Sequence, residues 1–336
     1  MKLRPLTTTT VGSFPRPGWL AETDRSRASF RLEGEALREA QDDATLVVLR
    51  EQEELGLDIL TDGEQRREGF IFHMARTWDG IDLVNQAEKS TYRRRQAPRI
   101  VPRITGKITR RAPAMVDDVR FAKAHTMSPV KMALAGPMTV IDSALNEGYA
   151  DEAELAMDVA AAINAELKDL AAAGCDLLQL DEPAMTRYHE KVVDYGAQAL
   201  DRCLEGVTVP TIVHLCYGYP GGAALQHHYT YPELLDRLMQ TRISGFTVEF
   251  ARSGYDPAIL KPYRDRLIMF GCIDPGNTPV PKLDEVRRRV ASALKHLEPT
   301  RLLLAPDCGL MTISRSLARE KLAVMVAAAK SLRKDL

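Results

Sequence analysis

Two kinds of hydrophobic pattern alternate along this chain. Short runs of β-branched or continuous apolar residues recur at TTTTVG (7–12), LDILTD (57–62), VKMALA (130–135), DLLQLD (176–181), TIVHLC (211–216), GFTVEF (245–250), RLIMFG (266–271) and RLLLAP (301–306). Their length and near-continuous apolar character are those of parallel strands covered on both faces. Between them, apolar residues return every three or four positions, which predicts helices over 33–56, 151–174, 232–240, 284–297 and 314–333. Gly56 and Gly174 stand where two of these helices need a residue that tolerates a left-handed cap.

Eight strands, each followed by helix, describe a single α/β domain over residues 1–336, a closed (β/α)8 TIM barrel. The competing fold is an open doubly wound sheet, which would normally carry a glycine-rich fingerprint after its first strand. VGSFPRP has no G-x-G-x-x-G. Segment 63–116, after the second strand, is too long for a simple connection and predicts a hairpin or lid inserted over the barrel mouth.

Composition narrows the function classes. The 45 Lys and Arg residues against 46 Asp and Glu leave a net charge of −1, with no overall attraction to nucleic acid. No run reaches the ~20 apolar residues a membrane helix needs, and MKLRPLTTTTVGSFPRP lacks the apolar core of an export signal. The expectation is a cytoplasmic protein whose five cysteines are reduced, some of them free to ligate metal. Arg93, Arg94, Arg95, Arg99, Arg103, Lys107, Arg110 and Arg111 form a basic run inside the insertion. It reads either as a solvated face or as a rim that binds an anionic tail.

In a TIM barrel the chemistry sits at the C-terminal ends of the strands. Here the exits carry Gly12-Ser13, Asp62-Gly63-Glu64, Gly136-Pro137, Asp181-Glu182-Pro183, His214 and Cys216, Glu249, Asp274, and Asp307-Cys308-Gly309. Such an alignment of reactive residues points to an enzyme. His214 and Cys216 are two apart on one strand and so face the same side, toward the barrel axis. With Glu249 and Cys308 they offer imidazole, carboxylate and two thiolates, a tetrahedral donor set for Zn2+. Taken singly, the cysteines would read as small buried hydrophobes and His214 as a core histidine. A thiolate-rich zinc is a weak Lewis acid for hydrolysis but holds and ionises a further thiol, so the donor set points to alkyl transfer onto sulfur. Ser13, Glu64 and Asp181 offer a hydroxyl and two carboxylates, suited to the carboxylate and ammonium of an amino acid. Asp181 also reads as a helix N-cap and Glu64 as a loop charge.

The motifs TTTTVGSFPRP, GLDILTDGEQRREGF, ALAGPMT, LLQLDEPAM, VHLCYG, FTVEFARS and LLLAPDCGLMT, in that order over about 7–330, resemble the catalytic C-terminal domain of cobalamin-independent methionine synthases, in their short core form. The resemblance implies a (β/α)8 barrel in which zinc on His214, Cys216, Glu249 and Cys308 activates homocysteine. It places Ser13, Glu64 and Asp181 at the positions that hold the homocysteine backbone. It also exposes two departures. Ser143 stands where the family has a folate-stacking Trp, and Asp274 where it has a catalytic His, so Asp274 becomes the candidate catalytic residue beside the donor.

The expected activity is therefore zinc-dependent methyl transfer to homocysteine, forming methionine. Because the folate-side residues differ, a methylcorrinoid such as methylcobalamin, free or on a corrinoid protein, is expected to outperform methyltetrahydrofolate as donor. The competing readings are a zinc-dependent thiol alkyltransferase with another acceptor or donor, resembling the epoxide-opening coenzyme M enzyme, and a thiol-metabolite binding protein without turnover. Neither nucleic acid nor membrane is expected as a partner, and the sequence leaves the oligomeric state open.

Overall fold

The computed structural model describes residues 3–24, 27–89, 99–217 and 231–336. Seven strands form one parallel sheet: β1 (Thr7–Thr8), β2 (Lys131–Ala135), β3 (Leu177–Asp181), β4 (Thr211–Leu215), β5 (Gly245–Glu249), β6 (Leu267–Ile273) and β7 (Leu302–Pro306). Their spatial order is β1-β7-β6-β5-β4-β3-β2. Each falls within one of the apolar runs except β6, which continues two residues past its run, to Ile273. The eighth run closes the curled sheet. Asp58 and Ile59 donate their backbone N–H groups to Thr8 O at 2.9 and 3.1 Å, Leu60 donates to Pro129 O at 2.9 Å, and Leu60 O accepts from Lys131 N at 2.8 Å. On the β1 side the ladder is partly made by a side chain, because Asp58 Oδ2 accepts from Thr8 N at 2.8 Å and from Thr8 Oγ1 at 3.0 Å.

The helices predicted from the three-four period are present as Gly34–Leu55, Glu152–Ala172, Tyr231–Leu238, Leu283–Leu294 and Arg315–Leu332. Gly56 ends the first with φ of 81°, and Gly174 follows the second with φ of 94°, left-handed values that cost a side-chain-bearing residue free energy. Because strand side chains alternate, the apolar residues divide into two cores. Residues such as Met132, Leu134, Leu178, Leu180 and Val213 pack outward against the helices. Val11, Ile59, Leu177, Ile212, Met269 and Leu303 pack together inside the barrel. The next inward positions toward the C-terminal end are polar: Gln179 and Asp181 on β3, His214 on β4, and Thr247 and Glu249 on β5, all buried. The barrel thus has an apolar floor and a polar mouth. Among the described residues no helix is long and apolar enough to cross a membrane.

The long insertion contains an antiparallel pair, Trp78–Lys89 and Arg99–Arg110, with irregular pairing between Asp82 and Ala87. It docks on the Glu152–Ala172 helix. Arg110 pairs with Glu166 at 2.8 Å and Asp169 at 2.5 Å, and the fully buried Glu166 also accepts from Ala114 N and Met115 N. Lys89 Nζ donates to Ile141 O and Ala144 O at 2.9 and 2.6 Å, tying the hairpin to the end of the short Pro137–Asp142 helix after β2. Within the basic run, Arg103 pairs with Glu147 and Arg111 with Asp79. Arg93, Arg94 and Arg95 lie outside the described residues.

The barrel wall leaves no room for a side chain at Gly245, which pairs with Leu267; a Cβ there would stand 2.1 Å from the Leu267 carbonyl oxygen. That neighbour is backbone and cannot swing aside. Gly245→Ala is therefore expected to destabilise the protein by about 3 kcal/mol, read as a lower urea midpoint at unchanged slope. Wild-type stability in this variant would show that β5 and β6 separate more easily than the register implies.

Candidate active site

Three sulfur and nitrogen ligands converge at the mouth. His214, on β4, Cys216, just beyond it, and Cys308, in the loop after β7, place their ligand atoms within 4.8 Å of one another. Cys308 Sγ lies 3.7 Å from His214 Nε2. Burial disfavours a charged imidazole, but the Cys216 sulfur overrides it and His214 is shifted upward. Cys308 is pushed well up, first by its contact with Cys216, then by burial and by the negative charges of Cys216 and Glu249.

Glu249, the last residue of β5, stands outside that trio but beside it. It is fully buried, Oε1 accepts from Tyr217 N at 3.0 Å, and Oε2 has no hydrogen-bond partner among the described residues. Burial, then Cys216, then Asp307 push its carboxyl well above the usual range. A buried carboxylate oxygen without a donor is costly, and a cation at this point would remove the cost.

Asp307 was legible as a strand-exit residue, but its task was not. Its Oδ1 accepts from Phe250 N and Ala251 N at 3.1 and 3.0 Å, and Oδ2 from Arg252 N at 3.0 Å. Asp307 precedes Cys308 and these amides follow Glu249, so one carboxylate fixes the loops carrying two candidate ligands. Glu182 does the same on the next flank. It accepts from Met138 N, Thr139 N and Thr139 Oγ1 at 3.0, 2.9 and 2.7 Å, capping the Pro137–Asp142 helix from another strand's exit. Burial raises Glu182 to about 8 against the pull of these donors.

Ser13, Glu64 and Asp181 are all buried at the same mouth. Glu64 has φ of 58° directly after Gly63 with φ of 64°. A left-handed glutamate is strained, and here the strain folds its carboxylate back over the first strand's exit. A Cβ on Gly12 would meet Glu64 Oε1 at 2.5 Å, and a Cβ on Gly309 would meet Ser13 Oγ at 2.1 Å, so the two glycines leave space for these side chains. Arg67 Nη1 lies 3.4 Å from Glu64 Oε1. Burial raises Asp181 to about 6, against the charges of His214 and Lys131.

Sequence reasoning missed Lys131 and Gln179. Lys131 is fully buried at the start of β2, and Nζ donates to Val11 O at 2.6 Å and to Gln179 Oε1 at 2.5 Å. Burial lowers it to about 7, with Asp181 and Glu64 pulling upward. The signal was present, because a lysine inside VKMALA and a glutamine inside DLLQLD break otherwise apolar strands.

Asp274 follows β6 and is engaged within its own turn. Its carboxylate accepts from Gly276 N at 2.8 Å and from Thr278 Oγ1 at 3.2 Å. Ser143 ends the Pro137–Asp142 helix. His73 has both ring nitrogens engaged, by Asp118 at 2.8 Å and Arg76 at 3.0 Å, and Trp78 is buried in the outer core.

Comparison with known proteins gives a consistent result. The family model described as the catalytic domain of cobalamin-independent synthase matches residues 6–331. A methionine synthase from Sulfolobus acidocaldarius is 32% identical over 335 residues, covering 98% of this chain and 93% of that protein. One from Pyrococcus abyssi is 32% identical over 340 residues, covering 100% and 95%. Among solved structures, a B12-independent methionine synthase from Shewanella in complex with selenomethionine superposes with a TM-score of 0.93 at 32% identity, over 99% of each chain.

The role of Asp307 makes a local prediction. In Asp307→Asn one oxygen becomes an NH2 facing the Arg252 N–H, donor against donor. We expect a loss of about 1–3 kcal/mol in stability, together with faster hydrogen exchange at Phe250, Ala251 and Arg252 than at the β5 amides. Unchanged exchange at these three amides would remove Asp307 from this role.

Proposed function

The chain belongs to the cobalamin-independent methionine synthase family, matching its catalytic domain, and from that membership we propose that it is a zinc-dependent methyltransferase that converts homocysteine to methionine. The observation that carries the reading is the meeting of His214, Cys216 and Cys308 at the barrel mouth, with an unpartnered, buried Glu249 oxygen beside them. Soft sulfur, borderline nitrogen and one oxygen are the donor types zinc accepts in a tetrahedral site. When bound, zinc supplies the positive charge that lets a thiol ionise near neutral pH and remain nucleophilic.

This chain's own residues supply the rest. Glu64 and Asp181 receive the ammonium group of homocysteine, and Ser13 with the adjoining loop amides receives its carboxylate. That places the thiol toward the sulfur ligands. Asp307 and Glu182 hold the surrounding loops. Two acidic side chains in the acceptor pocket favour a thiol bearing an ammonium group over an anionic alkylthiol, which argues against a coenzyme M type of acceptor. A relative solved with selenomethionine, an analogue of the product, is in keeping with this assignment.

For the methyl donor we favour a methylcorrinoid, free or protein-borne, over methyltetrahydrofolate. The folate leaving nitrogen must be protonated as its bond to carbon breaks, and a flat pterin gains from an aromatic partner. Ser143 offers no ring, Asp274 spends its carboxylate on its own turn, and His73 and Trp78 are engaged elsewhere. A cobalt-bound methyl leaves without a proton. One observation favours the folate: a cavity of about 170 Å³ beside the Ser143 helix is lined by Tyr188 and Tyr195, with Lys89, Asp142 and Glu152.

Two measurements test the proposal. Elemental analysis is expected to find ~one zinc per chain, with His214→Ala and Cys308→Ser each losing metal and methyl transfer together. Full activity in metal-free protein would end the zinc assignment. Initial rates with methylcobalamin and with mono- or polyglutamyl methyltetrahydrofolate, side by side, decide the donor. The corrinoid is expected to be at least ~tenfold faster, the scale on which a missing general acid is felt. Faster turnover with folate reverses that choice and leaves the acceptor assignment standing.

A further inference from the structure

Asp181 does not stand alone on β3. Gln179, two residues earlier and therefore on the same inward face, donates Nε2 to Asp181 Oδ1 at 2.6 Å and to Val11 O at 2.9 Å. Its other end, Oε1, receives Lys131 Nζ at 2.5 Å, and Lys131 also donates to Val11 O at 2.6 Å. All of these side chains are buried, Lys131 and Gln179 completely. An amide has one accepting end and one donating end, and here each end faces the only chemistry it can satisfy. Turning the amide over would set its oxygen against Val11 O and Asp181 Oδ1, and its NH2 group against the lysine amine. Charged or neutral, Lys131 has N–H groups for both of its acceptors, so the orientation does not depend on its protonation.

We propose that Gln179 is a positioning residue for the acceptor amino group, held in one orientation by Lys131 and Val11, and that through it the buried lysine governs selectivity for thiols bearing an ammonium group. Gln179 occupies one oxygen of Asp181 and fixes the rotation of the carboxylate, so its remaining lone pairs are presented in one direction. A carboxylate fixed in advance spends less of its interaction with an ammonium on being ordered. Lys131 makes no hydrogen bond to Asp181, although its charge acts on that carboxylate through space; its hold on the direction of the carboxylate passes through the amide. This rests on the assignment of Asp181 to the ammonium, and the experiment separates the two.

The probes are homocysteine and 4-mercaptobutanoate, the same thiol without the amino group. Their affinities for zinc-loaded protein are measured by calorimetry, with zinc content checked in every variant. Asp181→Asn sets the reference: it should lower the preference for homocysteine over 4-mercaptobutanoate. Gln179→Met keeps length and volume but removes the donor, and is expected to lower the same preference by roughly tenfold or more, with 4-mercaptobutanoate affinity and zinc content unchanged. Lys131→Met should act in the same direction by a smaller factor, because losing a positive charge near Asp181 offsets part of the loss. The double variant Lys131→Met/Gln179→Met should lower the preference no further than Gln179→Met alone, because without the amide the lysine has no hold on the direction of the carboxylate. It also removes a buried amine together with its acceptor, so it carries the test if Gln179→Met alone fails to fold. Additive losses, or equal losses for the two thiols, overturn the relay. A preference lowered by Asp181→Asn but untouched at positions 131 and 179 overturns it while leaving the Asp181 assignment intact. If Asp181→Asn itself leaves the preference unchanged, the ammonium assignment fails and the relay falls with it.

Discussion

Charged groups taken inside a closed barrel must be satisfied there, because each ion loses several kcal/mol of hydration and cannot turn back to solvent. The mouth of this barrel is built around that constraint. Lys131, Asp181, Glu64, Arg67, Glu182, Glu249 and Asp307 are all buried within it. Most are matched: Glu182 by the amides after β2 and Asp307 by the amides after β5, each from another strand's exit, Lys131 by Gln179 and Val11 on other strands, and Glu64 by Arg67 in its own loop. The loops at the mouth are therefore held by interactions that cross from one βα unit to another. The glycines follow from the same crowding. A Cβ at Gly136 would stand 2.4 Å from Glu182 Oε1, and one at Gly271 would stand 2.2 Å from Asp307 Oδ1. Each buried carboxylate has taken the space that a side chain on the next exit would need.

That cross-unit character explains what could and could not be read from the chain alone. All eight strand segments and the principal helices were legible, since burial on two faces or one leaves a local period. His214 and Cys216 were legible as a pair because two residues apart on a strand means one face. The roles of Asp307 and Glu182 were not, because the amides they cap belong to neighbours only once the strand order is known. The docking of the insertion was hidden for the same reason: Arg110 and Glu166 are 56 residues apart, and nothing in the basic run distinguishes Arg110 as an arginine that enters a buried pair. Lys131 and Gln179 were a different kind of miss. A lysine and a glutamine inside apolar strands are a local signal, but an inventory of strand exits looks one turn too high to see them.

The family membership and the physical reading meet at the sulfur ligands and separate at the donor side. On the acceptor side, backbone strain and an unpartnered buried oxygen are found on residues that the resemblance also singles out. Glu64 carries left-handed backbone, and Glu249 keeps a bare oxygen. On the donor side the corresponding positions are locally content. Asp274 closes its own turn, and the loop it shapes is pinned by Lys321, which donates to Asp274 O, Gly276 O and Thr278 Oγ1. Both carboxylate oxygens of Asp274 are thus engaged within its own loop, without the strain seen at Glu64.

This contrast supplies a criterion for sorting the buried carboxylates of the mouth by task. Asp307 and Glu182 each receive two or more backbone N–H groups, so their acceptor oxygens are spent on holding loops, and a ligand would have to displace those donors to use them. Glu249 receives one backbone N–H and keeps an oxygen without a donor. Asp181 receives a side-chain amide whose direction is set from below by Lys131. Carboxylates of the first kind are complete in the protein by itself. Those of the second kind keep acceptor capacity that, in the proposed function, a metal ion takes up at Glu249 and an ammonium group at Asp181. The division follows from counting donors at each oxygen, and it separates the residues that build the site from those that wait for its ligands.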